Sequence, residues 1–318
     1  MIGVSDQQTL ADTLQEKIKV LHDSIWERRA DWPRVSAWLD QFQDAQTTPD
    51  DRLQALYLLS NFMYFGTSEI RALLKSLFRD IFRASVISEI RKNTPALKID
   101  EVDASFEHEL KRTRFVSLGN PSESSAFLLY YFRQENKIGR ECFISGAEIF
   151  TIDQALQVRD QNVTRYVFID DLCGSGIQGE DYSKNVVLPL KALKDDVKVY
   201  YYALFGTATG IQRLRDLNRF DSVHPVVELD ESFRCFSDVS RIYLDAPLPL
   251  ARDAGMALAH RFGARLQGDH PLGFSNGQLL LGFAYNTPDN TLPVIWSDGD
   301  ETYPWAPVFK RYSKLTYG

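Results

Sequence analysis

The chain has 318 residues, 44% of them apolar and 25% charged, enough for one large globular domain or two ordinary ones. Its formal net charge of -7 argues against broad, non-specific contact with a phosphate backbone, so direct nucleic-acid binding is not indicated. The three cysteines, Cys142, Cys173 and Cys235, are odd in number and widely spaced, which excludes a disulfide framework or zinc-site pattern and suits a reducing, cytoplasmic setting.

The opening MIGVSDQQTLADTLQEKI lacks the basic start and apolar core of a signal peptide. No apolar run nears the roughly 20 residues that cross a bilayer, so no membrane association is expected. Residues 8–28 carry Leu10, Leu14, Ile18, Leu21 and Ile25 three or four apart, which predicts a helix. A short helix is predicted over 33–44. In TTPDD (47–51), Thr48 can cap, Pro49 suits the first helical position, and Asp51 can complete a capping interaction. A helix is expected to run on through RLQALYLLSNFMYF to the break at Gly66. Thr67 can cap the next, whose Ile70, Leu73, Leu74, Leu77, Ile81 and Phe82 share one side. Residues 1–100 are therefore expected to form a helical adaptor, cap or winged-helix-like domain, open to a protein partner. Residues 101–318 are expected to form an α/β domain ending in a hood or closing segment.

From 115 short apolar runs alternate with helical patterns, which predicts a mainly parallel sheet. Strands are expected at FVSL (115–118), ECFISG (141–146), RYVFID (165–170), VKVYYYALF (197–205), HPVVELD (224–230) and QLLLGFAYN (278–286). Helices are expected near 124–134, at TIDQALQVRD (151–160, with Thr151 and Gln154 at capping-box spacing), KNVVLPLKALKDD, RLRDLNRF and 251–266. Trp296, Tyr303, Trp305 and Phe309 in the last segment are read as packing residues.

The chemistry concentrates at 167–178, VFIDDLCGSGIQ. An apolar strand ends in Asp170 and Asp171, at the edge where ligands of parallel sheets bind. Gly174, Ser175, Gly176, Ile177 and Gln178 follow, a turn in which backbone N–H groups and one hydroxyl can meet an anion. A helix starting closer to this loop than residue 184 would add its N-terminus. The two acids can face a sugar diol and help organise Mg²⁺, while the loop holds a phosphate. The bland alternative is a tight acidic turn with no ligand.

This segment resembles the phosphoribosyl-diphosphate-binding motif of type I phosphoribosyltransferases. Tyr166–Ile169 match the apolar run, Asp170 and Asp171 the acidic pair, and Gly174–Gln178 the 5′-phosphate loop, with Gln178 in place of a frequent closing Thr. The resemblance implies a sheet of that type, with phosphoribosyl diphosphate or a nucleotide as ligand and Mg²⁺ as cofactor. It makes Asp170 and Asp171 catalytic and metal-binding. Chain order then points to Gly119–Ser125, with Ser122 and Ser124, as the pyrophosphate loop, although no basic residue lies inside it. It also brings the GTATG turn, with Thr207 and Thr209, near the acceptor. Together with the helical first part and the NTPDNTLPVIW ending, the chain is similar to divergent members associated with bacterial conflict, phage-defence and retron systems. Three functions stay open: transfer at the anomeric carbon of a 5-phosphoribosyl group, for which the resemblance implies an antiviral setting; hydrolysis of a nucleotide N-glycosidic bond; and non-catalytic sensing. His224, His260 and His270 are base candidates by chemistry alone.

Overall fold

A computed structural model describes residues 4–118 and 124–312. In chain order the principal elements are α1 (Val4–Ser24), α2 (Trp32–Leu39), α3 (Asp51–Ser60), β1 (Met63–Phe65), α4 (Thr67–Ser76), α5 (Ala84–Asn93), α6 (Ile99–Lys111), β2 (Thr113–Ser117), α7 (Ser124–Asn136), β3 (Phe143–Ile144), β4 (Phe150–Ile152), β5 (Leu156–Val158), β6 (Arg165–Cys173), α8 (Ile177–Tyr182), α9 (Leu188–Leu193), β7 (Lys198–Thr207), α10 (Ala208–Asp216), β8 (Ser222–Leu229), α11 (Arg252–Leu266), β9 (Leu281–Phe283) and α12 (Pro293–Trp296). The chain divides into two compact units, 1–68 with 230–318, and 69–229. The sequence reading placed one boundary after residue 100.

The first unit joins the two ends of the chain. Its core holds Trp26, Trp38, Phe42, Phe62, Trp305 and Phe309, with Phe62 stacked on Phe309 at 4.4 Å. Trp38 and Trp305 both donate their indole N–H to the Val294 carbonyl, at 2.7 and 3.0 Å. Trp38 and Trp305 thereby bury apolar area without an orphaned donor, whereas the buried Trp26 indole N–H has no partner. The late aromatics are packing residues, as read from the sequence. Thr48 and Asp51 do interact, Oγ1 to Oδ1 at 2.7 Å, although the helix begins only at Asp51. One expectation fails here: Met63–Phe65 is not the end of a helix. It is a strand paired in parallel with Leu281–Phe283, because the backbone groups of 63–65 find partners more than 200 residues away.

The second unit is built on a five-stranded, all-parallel sheet in the order β3-β2-β6-β7-β8. The mixed α/β class and the mainly parallel sheet thus follow the sequence reading. Helices cover both faces, which explains the near-continuous apolar runs of β6 and β7. On one face the helix from 177 to 193, with a π turn at Ser183–Val187, and α10 pack on Tyr166, Phe168 and Tyr201. On the other face Phe115 meets Phe82 at 5.1 Å and Phe132 at 5.0 Å. The helices of 69–93, expected in a separate N-terminal domain, therefore belong to this sheet's cover. The predicted helix at 151–160 is instead an antiparallel hairpin, Phe150 opposite Val158. The Thr151–Gln154 spacing is not used as a capping box. Ser145 and Glu148 make one instead, for the short turn 146–148.

Candidate functional site

Strand order reverses between β2 and β6, which are neighbours although β3 intervenes in sequence. Ligands of doubly wound sheets bind at such a point, outside the carboxyl ends of the strands. Here those ends are Ser117–Leu118 and the acid pair. Leu118 donates its N–H to the Ile169 carbonyl at 3.4 Å, which sets the end of β2 beside the residue that precedes the acid pair. Residues 119–123, including Ser122, and the side chain of Ser124 lie outside the described residues.

The two acids meet different surroundings, because successive strand residues point to opposite faces. Asp170 is 7% exposed, and its Oδ2 accepts from the Tyr201 hydroxyl at 2.8 Å. Its Oδ1 accepts the Asp171 N–H at 2.9 Å. Burial raises the Asp170 carboxyl above the usual carboxylate range, and the neighbouring Asp171 charge raises it further. Behind it, burial also pushes the Cys173 thiol up to about 12. Asp171 is half-buried, with Oδ1 accepting the Leu172 N–H at 2.8 Å. The strand therefore presents one buried and one accessible carboxyl, not a symmetric pair.

The loop itself is set by glycine. Gly176 has φ +74°, a left-handed conformation that a side chain rarely adopts, and it caps the helix that starts at Ile177. That helix begins directly after the loop, seven residues before the predicted 184. The N–H groups of Ser175 and Gly176 make no hydrogen bond among the described residues. The Ser175 hydroxyl accepts weakly from Ile177 N–H, at 3.4 Å. Ile177 and Gln178 are exposed in the first turn.

The GTATG turn is part of this loop's support. Thr207 donates its hydroxyl to the Gly174 carbonyl at 2.6 Å, and the same oxygen accepts the Gly210 N–H at 2.9 Å, capping α10. A Cβ on Gly210 would lie 2.2 Å from the Gly174 carbonyl oxygen. Thr207 thus joins two strand ends, while Thr209 is exposed. Arg213 on α10 also reaches the loop: its Cδ is 3.3 Å from where a Gly176 Cβ would stand. Its guanidinium bonds Glu180 through Nε at 2.8 Å. Arg112 and Arg114 sit at the opposite end of β2, where Arg114 pairs with Asp160 at 2.8 Å. His224 lies in the first half of β8, away from the loop end of the sheet, and His260 and His270 belong to the other unit.

Among the described residues no three His, Cys, Asp or Glu side chains converge on a metal position. The donor set at the strand end fits Mg²⁺ only as an ion held mainly by a ligand's own oxygens, with Asp171 as the accessible carboxylate.

The family model PRTase-CE matches residues 35–311. The chain belongs to the PRTase-CE family. This membership covers both compact units and agrees with a phosphoribosyltransferase-like domain around the acid pair and its loop. Two solved structures are similar to this member of the family. One is the Helicobacter pylori xanthine-guanine-hypoxanthine phosphoribosyltransferase, 9% identical, with a TM-score of 0.25 over 52% of this chain and 83% of that one. The other is the AQ2163 protein from Aquifex aeolicus, 10% identical, with a TM-score of 0.29 over 63% of this chain and 86% of that one. No curated protein matches the chain. No helix among the described residues is long and apolar enough to cross a membrane.

Proposed function

We propose that this PRTase-CE protein binds a 5-phosphoribosyl group at the carboxyl end of β2 and β6 and acts at its anomeric carbon. The observation that carries the reading is the coincidence of three features at the point where strand order reverses. These are an accessible carboxylate, a Gly-Ser-Gly loop with unpaired N–H groups, and a helix starting directly after it.

In this reading Ser175 and Gly176 donate backbone N–H groups to the 5′-phosphate, and Arg213 supplies the positive charge that the loop lacks. Asp171 accepts hydrogen bonds from the ribose hydroxyls. Asp170 does not touch the ligand; its bond to Tyr201 positions the end of β6. In transfer, the C1–O bond to pyrophosphate breaks, the bonding pair leaves with pyrophosphate, and a nitrogen acceptor forms the new bond to C1. Mg²⁺, when bound with the ligand, would offset the charge that develops on pyrophosphate. Asp171 would favour the positive charge on the ribose ring, so the chain contributes position and electrostatics, not a covalent nucleophile.

A second reading, a metabolite sensor without turnover, is favoured by the absence of any Lys or Arg in 119–125, the segment where pyrophosphate would be held. A role as an antiviral effector rests only on the resemblance drawn from sequence, and would suit either reading.

Calorimetry with phosphoribosyl diphosphate and Mg²⁺ tests the site. Asp171→Asn should weaken binding about 10-fold or more, since a hydrogen bond to a charged group contributes roughly 1.5–3 kcal/mol. Equal affinity in a folded variant would remove Asp171 from the site. Release of pyrophosphate on adding nitrogenous acceptors would decide for transfer over sensing.

A further inference from the structure

Two charged side chains flank the 174–176 loop, Glu180 on α8 and Arg213 on α10. Glu180 is tied to the loop through the backbone, because its N–H donates to the Gly176 carbonyl at 2.9 Å. Arg213 is tied to it through packing, because its Cδ lies against Gly176. The two side chains meet, and the way they meet leaves one edge of the guanidinium open.

A guanidinium can grip an anion by its side edge, made of Nε and Nη2, or by its end edge, made of Nη1 and Nη2. Glu180 takes the side edge: its Oε2 accepts from Nε at 2.8 Å and from Nη2 at 2.7 Å. Nη1 has no partner among the described residues. By the geometry of the group it lies on the same side of the Nε–Cζ bond as Cδ, the atom that rests against the loop. The Arg213 side chain is 45% exposed, so the end edge is open to a ligand.

The acid does not cancel this charge. Lys184 bonds its other oxygen, Oε1, at 3.1 Å, which sets two cations against one carboxylate. Lys184 also lies 3.5 Å from Asp181, a contact in solvent that counts for little. Lys184 and Arg213 hold the Glu180 carboxyl below the usual carboxylate range, so it stays charged at neutral pH. A free arginine on a helix surface loses rotamer freedom when it meets a ligand, and one already held by a carboxylate loses less. We propose that Glu180 is a positioning residue, which holds Arg213 by its side edge so that the end edge is presented to an anion in the 174–176 loop. This rests on the phosphoribosyl reading above and adds how the cation beside the loop is aimed.

The test is calorimetric titration of the full chain with ribose 5-phosphate. Arg213→Ala should weaken binding about 10-fold or more, as for a lost hydrogen bond to a charged group. Glu180→Ala keeps Arg213 but leaves it unaimed, and should weaken binding about 5-fold, within the coupling found between residues in contact. Glu180→Gln keeps an acceptor for the side edge and should recover most of that loss. In an Arg213→Ala background, Glu180→Ala should cause no further weakening, whereas a merely structural role would weaken binding in both backgrounds. Binding by Glu180→Ala as tight as wild type, or tighter, would mean that the acid only competes with phosphate for Arg213. That result, or a further loss in the Arg213→Ala background, overturns the proposal and leaves the phosphoribosyl reading standing. Well-folded wild type that binds no ribose 5-phosphate at millimolar concentration overturns both.

Discussion

Gly210→Ala tests whether α10 sets the 174–176 loop. An alanine Cβ would stand 2.2 Å from the Gly174 oxygen, 3.0 Å from its carbon and 3.1 Å from the Cys173 oxygen. All three are backbone atoms, so no side chain can rotate away. Ordinary contact needs about 1 Å more, and either the helix or the loop must give that distance. Overpacking of this kind costs about 1–3 kcal/mol. Displacing Gly174 also strains the Thr207 bond to its carbonyl, which contributes about 1 kcal/mol. Against these stands the gain of alanine over glycine in a helix, about 1 kcal/mol. The net expectation is a loss of about 1–3 kcal/mol in urea unfolding. A displacement near 1 Å should also weaken ribose 5-phosphate binding, by about 10-fold or more, because anion sites depend on donor placement. A variant stabilised by the full helix-propensity gain, with unchanged phosphate affinity, would refute the idea that α10 presses on the loop.

Thr207→Val removes both the α10 cap and the tie to Gly174, and should cost about 2 kcal/mol, while Thr207→Ser should recover most of it; equal unfolding curves for the two would dismiss the hydroxyl's role. Gly176→Ala forces a side chain into φ +74° and against the Gly210 oxygen at 2.8 Å, and should lower stability by about 1–2 kcal/mol with loss of phosphate binding. Asp170 should make stability pH-dependent. Its raised carboxyl keeps a proton in the folded state that the unfolded chain sheds above its ordinary value, so the stabilisation is full below about pH 4 and falls as pH rises through the folded value. Asp170→Asn stays neutral, so the stability of wild type relative to the variant should decline from about pH 5 to about pH 8; a constant difference across that range would show that Asp170 is not held protonated.

Local pattern carried the parallel sheet far. RYVFID and VKVYYYALF are apolar along their whole length because both faces of β6 and β7 are covered, and such runs need no distant information to be recognised. It failed where the deciding partner was remote. FMYF continues an apolar stripe from α3, yet becomes a strand because 281–283 offers it a ladder. TIDQALQVRD has helical spacing, but Phe150 and Val158 pair across a turn instead. The division of the chain was hidden for the same reason: a unit made from both ends leaves no compositional mark at its two junctions. The helices of 69–93 read as a separate domain because their apolar faces do not announce the sheet they cover.

At the site, residue types were legible and their division of labour was not. Two adjacent acids in sequence look equivalent. Strand alternation makes them opposites: one turns toward Tyr201 and is buried, the other stays half-accessible. The threonine of GTATG had the chemistry of a ligand contact, and its hydroxyl is instead committed in both directions, to Gly174 and from Gly210. Gly210 carries the same lesson: its value lies in the missing Cβ, which lets a carbonyl from another strand end approach. A loop of Gly-Ser-Gly is too free to hold its N–H groups in one direction by itself. Its rigidity comes from the neighbouring strand end, so the site is better described as two consecutive β-α junctions, 173–177 and 206–210, locked at one threonine than as a single motif.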